Sequence, residues 1–216
     1  DPVRPTATVS APTWSVTDSA SRTFTVTWAG RDEISGPWKY ELDYAAGPNG
    51  PWTVLRPSTM GTSTAFAGTS GRTYYFRVTP TDAAGNVSTA RVVSGGTSVP
   101  YDQTSASFSS GWRTVRNSRD FLGSYRYATA SGRYLNFKIS RGTLYLVANA
   151  GPKLGKIAVY FRGRRVATVD LYSRTAKTRQ VYKLVKFSGS SASTVKIVNL
   201  ATRGRPRVEV DGLIVR

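Results

Sequence analysis

Residues 74–80, Tyr74-Tyr75-Phe76-Arg77-Val78-Thr79-Pro80 (YYFRVTP), place Tyr74, Phe76 and Val78 on one face of an extended chain. That two-residue period is what a strand with one buried side requires. Working outward, residues 23–28 (TFTVTW) align Phe24, Val26 and Trp28, and residues 40–44 (YELDY) align Tyr40, Leu42 and Tyr44. Shorter candidates at 52–55, 63–66 and 87–93, with a Pro48-Asn49-Gly50-Pro51 turn, bring the first half close to seven strands. Past residue 100 the pattern returns at 135–139 (LNFKI), 144–147, 157–161 (IAVYF), 166–172 (VATVDLY), 181–187, 195–200 and 208–215. No stretch carries a helical period, so the expected fold class is all-β, two β-sandwich domains in tandem.

The chain has 216 residues, a length that suits two such domains. Gly95-Gly96-Thr97-Ser98-Val99-Pro100 has linker composition. The expected organisation is a first sandwich over residues 1–98, a linker over 99–104 and a second sandwich over 105–216. Charge divides at the same place. Residues 1–100 carry 8 Lys+Arg against 7 Asp+Glu, whereas residues 101–216 carry 22 against 5. A net +17 on one small module points toward something anionic.

With neither histidine nor cysteine, the chain has no Ser-His-Asp or Cys-His nucleophile, no imidazole or thiolate metal site and no disulfide framework. The carboxylates of the second half are Asp102, Asp120, Asp170, Glu209 and Asp211. Only Glu209 and Asp211 share a strand face by spacing. Arg205 and Arg207 share it too, which favours a solvated strip of ion pairs over a hydrolytic pair. The expectation is a non-enzyme with no cofactor and no metal site.

Trp28, the Tyr40-x-Leu42-x-Tyr44 strand, Gly71–Val78 and the Asp82-Ala83-Ala84-Gly85-Asn86 stretch resemble a bacterial fibronectin type III domain. The resemblance implies that Tyr74 is the tyrosine-corner residue, its hydroxyl bonded back to nearby backbone. In the second half, Gly151–Tyr160, Val169–Ser173 and Arg205–Gly212 resemble the C-terminal jelly-roll, carbohydrate-binding-like modules of secreted actinobacterial proteins, similar in fold to galactose-binding-like domains. Copies of that module often carry an acidic Asp-Gly turn after the Ala-Val-Tyr strand. This chain has Arg162-Gly163-Arg164-Arg165 there, which favours an anionic ligand over an inherited sugar specificity.

The candidate binding residues follow from the arginine clusters. Arg162, Arg164 and Arg165 crowd one hairpin turn; Arg174, Lys177 and Arg179 crowd a loop; Arg203, Arg205 and Arg207 alternate along one side of an extended segment. A guanidinium fork suits phosphate, sulfate or carboxylate. Tyr134, Tyr160 and Tyr172 fall opposite the apolar positions of their strands and are candidates for stacking. Expected partners are an anionic polysaccharide, a cell-wall polymer or an acidic protein, with non-specific nucleic acid as a further option. A basic surface that merely solubilises the domain and a structural module making protein–protein contacts are the alternatives. The expected location is extracellular or at the cell surface. No apolar run spans a bilayer, and the first residues lack signal-peptide character, so any leader lies outside this chain.

Overall fold

The computed structural model describes residues 1–88, 91–92, 95–189 and 191–216. Among these the chain is all-β apart from a single helical turn at Ser15–Asp18 and 3₁₀ turns at Gln103–Ser105 and Phe121–Gly123. It divides into two compact units, Asp1–Ser19 with Thr23–Val99, and Pro100–Arg216 with Ala20–Arg22.

The first unit contains β1 (Thr6–Ser10), β2 (Thr23–Arg31), β3 (Pro37–Ala45), β4 (Thr53–Thr59), β5 (Ser63–Ala67), β6 (Thr73–Asp82), β7 (Arg91–Val92) and β8 (Thr97–Ser98). One sheet runs β1-β2-β5 and the other β4-β3-β6-β7, with β8 also on β6, and every strand pairing is antiparallel. Of the expected inward residues, Phe24, Val26, Trp28, Tyr40, Leu42, Phe76 and Val78 are buried, and Tyr44 and Tyr74 are half-buried. Phe66 gathers the rings of Phe24, Phe76, Tyr44 and Tyr74 at centroid distances of 5.5, 5.1, 5.0 and 4.8 Å. Each fully buried ring among them adds about 1.5–3 kcal/mol of transfer free energy. The Tyr74 hydroxyl accepts a hydrogen bond from the Thr69 backbone N–H at 2.9 Å, tying the strand to the corner before it. The expected strand at 87–93 appears as an isolated bridge at Val87 and as β7; residues 89, 90 and 93 lie outside the described residues.

In the second unit the strands are β9 (Tyr101–Asp102), β10 (Ser107–Phe108), β11 (Arg113–Arg116), β12 (Ser124–Ala128), β13 (Tyr134–Ile139), β14 (Gly142–Ala150), β15 (Lys156–Phe161), β16 (Arg164–Asp170), β17 (Lys177–Phe187), β18 (Ser193–Asn199), β19 (Val208–Val210) and β20 (Gly212–Val215). They form a five-stranded sheet β10-β13-β18-β15-β16, a four-stranded sheet β17-β14-β20-β9 and a three-stranded sheet β11-β12-β19. The inward faces of β13, β15 and β18 contribute Leu135, Phe137, Ile157, Val159, Val195 and Ile197 to one apolar cluster with Leu144, Leu146 and Leu213 of the four-stranded sheet.

Two expectations are corrected here. The stretch 99–104 is not a free linker. Val99 is buried and donates its N–H to Arg72 O at 2.8 Å, Tyr101–Asp102 pairs with β20, and Gln103 is buried. Residues 208–215 are two strands rather than one. They part at Asp211, because β19 pairs with β12 whereas β20 pairs with β14 and β9.

Candidate functional site

The second unit carries an open groove of about 570 Å³. Its walls are the Asn117–Arg119 stretch, the Gly151–Leu154 turn and the start of β17 at Ala176–Thr178; its floor is Tyr125 of β12, Asn149 of β14, and Arg207 and Glu209 at β19. A hollow of about 610 Å³ in the first unit is bounded by Thr6–Val9 and Ala29–Arg31, and offers one charged side chain, Arg31. The groove in the second unit therefore has the chemistry.

Its floor is a closed hydrogen-bond network. Arg207 donates from Nε to Glu209 Oε1 at 2.6 Å and from a terminal nitrogen to the Tyr125 hydroxyl at 3.0 Å, while its guanidinium carbon lies 3.7 Å from the Tyr127 ring centroid. The other Glu209 oxygen accepts from Asn149 Nδ2 at 2.9 Å. Burial opposes the charge on Arg207, but the bond to Glu209, the Glu209 charge and the Tyr125 hydroxyl together outweigh it and hold the guanidinium above its ordinary value. Burial and the Glu209 charge push the Tyr125 hydroxyl upward as well. Removing one partner from such a network leaves buried polar groups without bonds, so these residues set the shape of the floor.

Beneath the floor lie two buried carboxyls. Asp211 is fully buried, and both its oxygens accept from the Phe121 N–H at 3.0 Å. Burial, reinforced by the Asp120 charge, lifts its pKa to about 8. Asp120 is raised by burial too, against hydrogen bonds from Asn149 and Asn117.

The rim is cationic. Arg119, Lys153 and Lys177 line the groove, are exposed, and have no ion pair among the described residues. One close approach fixes the wall beside them. A Cβ on Gly155 would collide with the Arg205 carbonyl oxygen, and Gly155 donates its N–H to Arg207 O at 2.8 Å.

The arginines expected as one set are distributed by the structure. Arg162 and Gly163 both have positive φ (48° and 76°) in the two-residue connection of the β15–β16 hairpin, and Arg162, Arg164 and Arg165 are exposed. Arg174 and Lys177 are exposed near the groove's β17 wall, and Lys177 lines it. Arg179 departs from expectation. It sits at a bulge of β17 with φ 55°, its N–H donates to Asn149 Oδ1 at 3.3 Å, and its Nε and one terminal nitrogen are buried without a hydrogen-bond partner.

The third cluster is also corrected. Residues 202–205 form a tight turn in which the Arg205 N–H donates to Thr202 O at 2.8 Å, so Arg203, Arg205 and Arg207 do not project together. Arg203 is exposed. Arg205 holds Asp170 with bonds of 2.8 and 3.1 Å and also donates to Leu154 O at 2.8 Å, whereas Arg207 is committed to Glu209. The bond to Arg205 holds the Asp170 carboxyl below its ordinary value. Glu209 and Asp211, expected as a solvated strip, are buried instead. Tyr172 is 51% exposed with the Arg205 guanidinium 4.9 Å from its ring, while Tyr134 and Tyr160 are half-buried on another sheet.

Sequence reasoning missed Asn117, Tyr125 and Asn149, which only pairing distant in the chain brings together. It also missed a carboxylate group in the first unit. Asp1, Asp32 and Asp82 each bring an oxygen within 4.8 Å of the others, and Asn86, Ile34, Ser35 and Gly36 donate to the latter two.

No family model matches the sequence, and no curated protein matches it. Among solved structures, the chain is similar to one described by the promiscuous specificity of carbohydrate-binding modules from the β-sandwich superfamily. That likeness covers 98% of this chain and 97% of the other, at 13% identity and a TM-score of 0.41. A CBM36 domain of a multidomain xylanase from the hindgut metagenome of Trinervitermes trinervoides is similar over 52% of this chain and 91% of its own, at 14% identity and TM-score 0.40. The Agl-KA catalytic domain is similar over 52% of this chain at 15% identity and TM-score 0.40, and the likeness spans 26% of that domain's length.

Proposed function

We propose that the chain is a non-catalytic accessory module of an exported protein, whose second unit holds an anionic glycan or cell-wall polymer in the groove. One observation carries this reading: of the second unit's five carboxylates three are buried and the other two are bonded within the unit, whereas the cations at the groove rim are exposed and without an ion pair among the described residues. Asp120, Glu209 and Asp211 are buried, and Asp170 is taken up by Arg205 and Lys156. Asp102 caps a 3₁₀ turn by accepting from the Thr104 N–H at 2.8 Å. Little negative charge is left to screen Arg119, Lys153 and Lys177 at the rim. Glu209 is committed to Arg207 and Asn149, and Asp211 to Phe121, so neither is free for hydrolysis.

The first unit is read as a fibronectin type III-like module in tandem with it; the two sheets and the Tyr74-to-Thr69 bond support that assignment. An exported location belongs to the same proposal. No helix among the described residues is long and apolar enough to cross a membrane.

Titration with polygalacturonate and with a teichoic-type polymer across a salt series tests the reading. The wild type binds at low salt and weakens as salt rises. Arg119→Gln/Lys153→Gln/Lys177→Gln loses affinity by about tenfold or more and becomes less salt-sensitive. Equal binding by wild type and triple variant would end the groove assignment.

A second reading, an assembly module, draws on the first unit. Trp38 and Met60 are 51% and 73% exposed near the end of the β3–β4 pairing, where Tyr40 faces Thr59. It predicts complexes with a protein partner that Trp38→Ser abolishes and polysaccharide leaves intact, which size-exclusion chromatography reads directly.

A further inference from the structure

The outward side of the five-stranded sheet is separate from the groove. Strand register sets Asn136 opposite Lys196, Lys196 opposite Tyr160, and Tyr160 opposite Arg165. Four side chains thus stand in one row across four strands, about 14 Å from end to end at roughly 4.8 Å per strand. The adjacent row is Tyr134, Val198, Ala158 and Thr168, and Lys138 opposite Thr194 extends the face beyond the first. Their neighbours along the strands, Leu135, Phe137, Val195, Ile197, Ile157 and Val159, are in the apolar cluster, so alternation turns both rows to the other side of the sheet. There Lys196, Arg165 and Thr168 are exposed, Asn136, Tyr134, Tyr160 and Val198 are half-buried, and the small Ala158 is covered.

Charge on this face is one-sided. Lys138, Lys196 and Arg165 are exposed and have no ion pair among the described residues. The face's acid, Asp170, is at one end of β16 and already bonded to Arg205, with Lys156 at 3.8 Å. Lys196 Nζ lies 4.0 Å from the centroid of the Tyr134 ring, which places a positive charge between the two tyrosines. By strand and residue spacing the tyrosines stand roughly 12 Å apart on the diagonal.

We propose that this sheet face is a second binding surface, for a linear acidic polysaccharide whose anionic groups meet Lys138, Lys196 and Arg165 while a sugar ring lies on Tyr160. The ligand class rests on the anionic-glycan reading above; the surface itself does not. Asn136 and Thr194 supply lateral hydrogen bonds of the kind sugar hydroxyls require, while the Thr168 hydroxyl accepts from a terminal nitrogen of Arg165 at 2.5 Å and holds that guanidinium on the face. A single-stranded nucleic acid instead needs an open aromatic face for each base, and Tyr134 is already covered by an ammonium.

The test is calorimetric titration of the full chain with a galacturonic acid oligosaccharide, a heparin oligosaccharide and single-stranded oligo-dT. Wild type should show two sites for the acidic sugars. The groove triple variant should keep one, and adding Tyr160→Ala or Lys196→Gln should weaken that one about tenfold. Arg113→Gln, an equal charge change at an exposed position of β11, should leave it within about twofold. Lys138→Gln, also exposed, provides a further reading should Tyr160→Ala fail to fold.

Three results would overturn the proposal: equal weakening by Arg113→Gln and Lys196→Gln with none from the charge-neutral Tyr160→Ala; complete loss of binding in the groove variant alone; or oligo-dT binding tightest at this face. The second of these leaves the groove assignment standing. Binding lost through the face variants and untouched by the groove variant removes the groove assignment and keeps the sheet face.

Discussion

Asp211→Asn should stabilise the second unit at neutral pH and remove most of the pH dependence of its stability. The carboxyl is fully buried, accepts from the Phe121 N–H, and faces Asp120, Arg179 and Asp102. Burial raises its pKa from the ordinary 3.8 to about 8. The folded chain therefore holds a proton that the unfolded chain releases, and stability falls as pH rises through the window from about 4 to about 8. At roughly 1.4 kcal/mol per pH unit, the wild type should lose about 4 kcal/mol between pH 5 and pH 8. Asparagine keeps an oxygen for Phe121 and has no proton to lose. Calorimetric melts at pH 5, 6, 7 and 8 should show the second unit's transition dropping by about 10 °C or more in the wild type and much less in the variant. The carbonyl stretch of a protonated carboxyl should be visible by infrared spectroscopy at pH 6 and weaker in Asp211→Asn by the Asp211 contribution. Parallel pH slopes for the two proteins would mean that Asp211 ionises in the folded state at its ordinary pKa and that burial does not hold its proton.

Gly155→Ala should destabilise the second unit by about 2 kcal/mol or more, because its Cβ would meet the Arg205 carbonyl oxygen; urea titration measures the loss, and groove affinity should fall with it. Tyr74→Phe should cost the first unit about 0.5–1.5 kcal/mol by removing the acceptor of the Thr69 N–H, which is exposed and can turn to water, and unchanged stability would dismiss the corner bond as a contributor. Arg207→Lys should loosen the groove floor by about 1–3 kcal/mol, since an ammonium cannot reproduce the bonds to Glu209 and Tyr125 together with the packing on Tyr127. Acid should release Asp170 from Arg205: its depressed carboxyl gives stability that is present above pH 4 and lost below it, worth no more than about 1 kcal/mol at this exposed site and absent in Asp170→Asn.

The strands that were legible are those whose alternation is strong. Phe24, Val26 and Trp28, or Leu135, Phe137 and Ile139, mark a buried face by themselves. The strands missed carry little apolar signal: β11 is Arg-Thr-Val-Arg and β12 is Ser-Tyr-Arg-Tyr-Ala. Cation clusters were visible as clusters, but their fate was not. Arg205 meets an aspartate 35 positions away, and Arg207 meets a tyrosine 82 positions away, and no local pattern encodes either. A signal for the groove did exist in the polar Asn149 within the apolar run Leu144–Ala150. A buried amide inside a strand must find partners, and here these are Glu209 and the Arg179 backbone.

The inward disposal of acid groups has a consequence for how this basic unit responds to its surroundings. Because Asp211 retains its proton at neutrality, the working charge of residues 101–216 is nearer +18 than the formal +17. Between neutrality and mild acid few further protons can be taken up on the outside, so electrophoretic mobility should remain almost flat over that interval. Attachment to a polyanion would then respond to ionic strength and to the ligand's own titration rather than to protonation of this unit's surface.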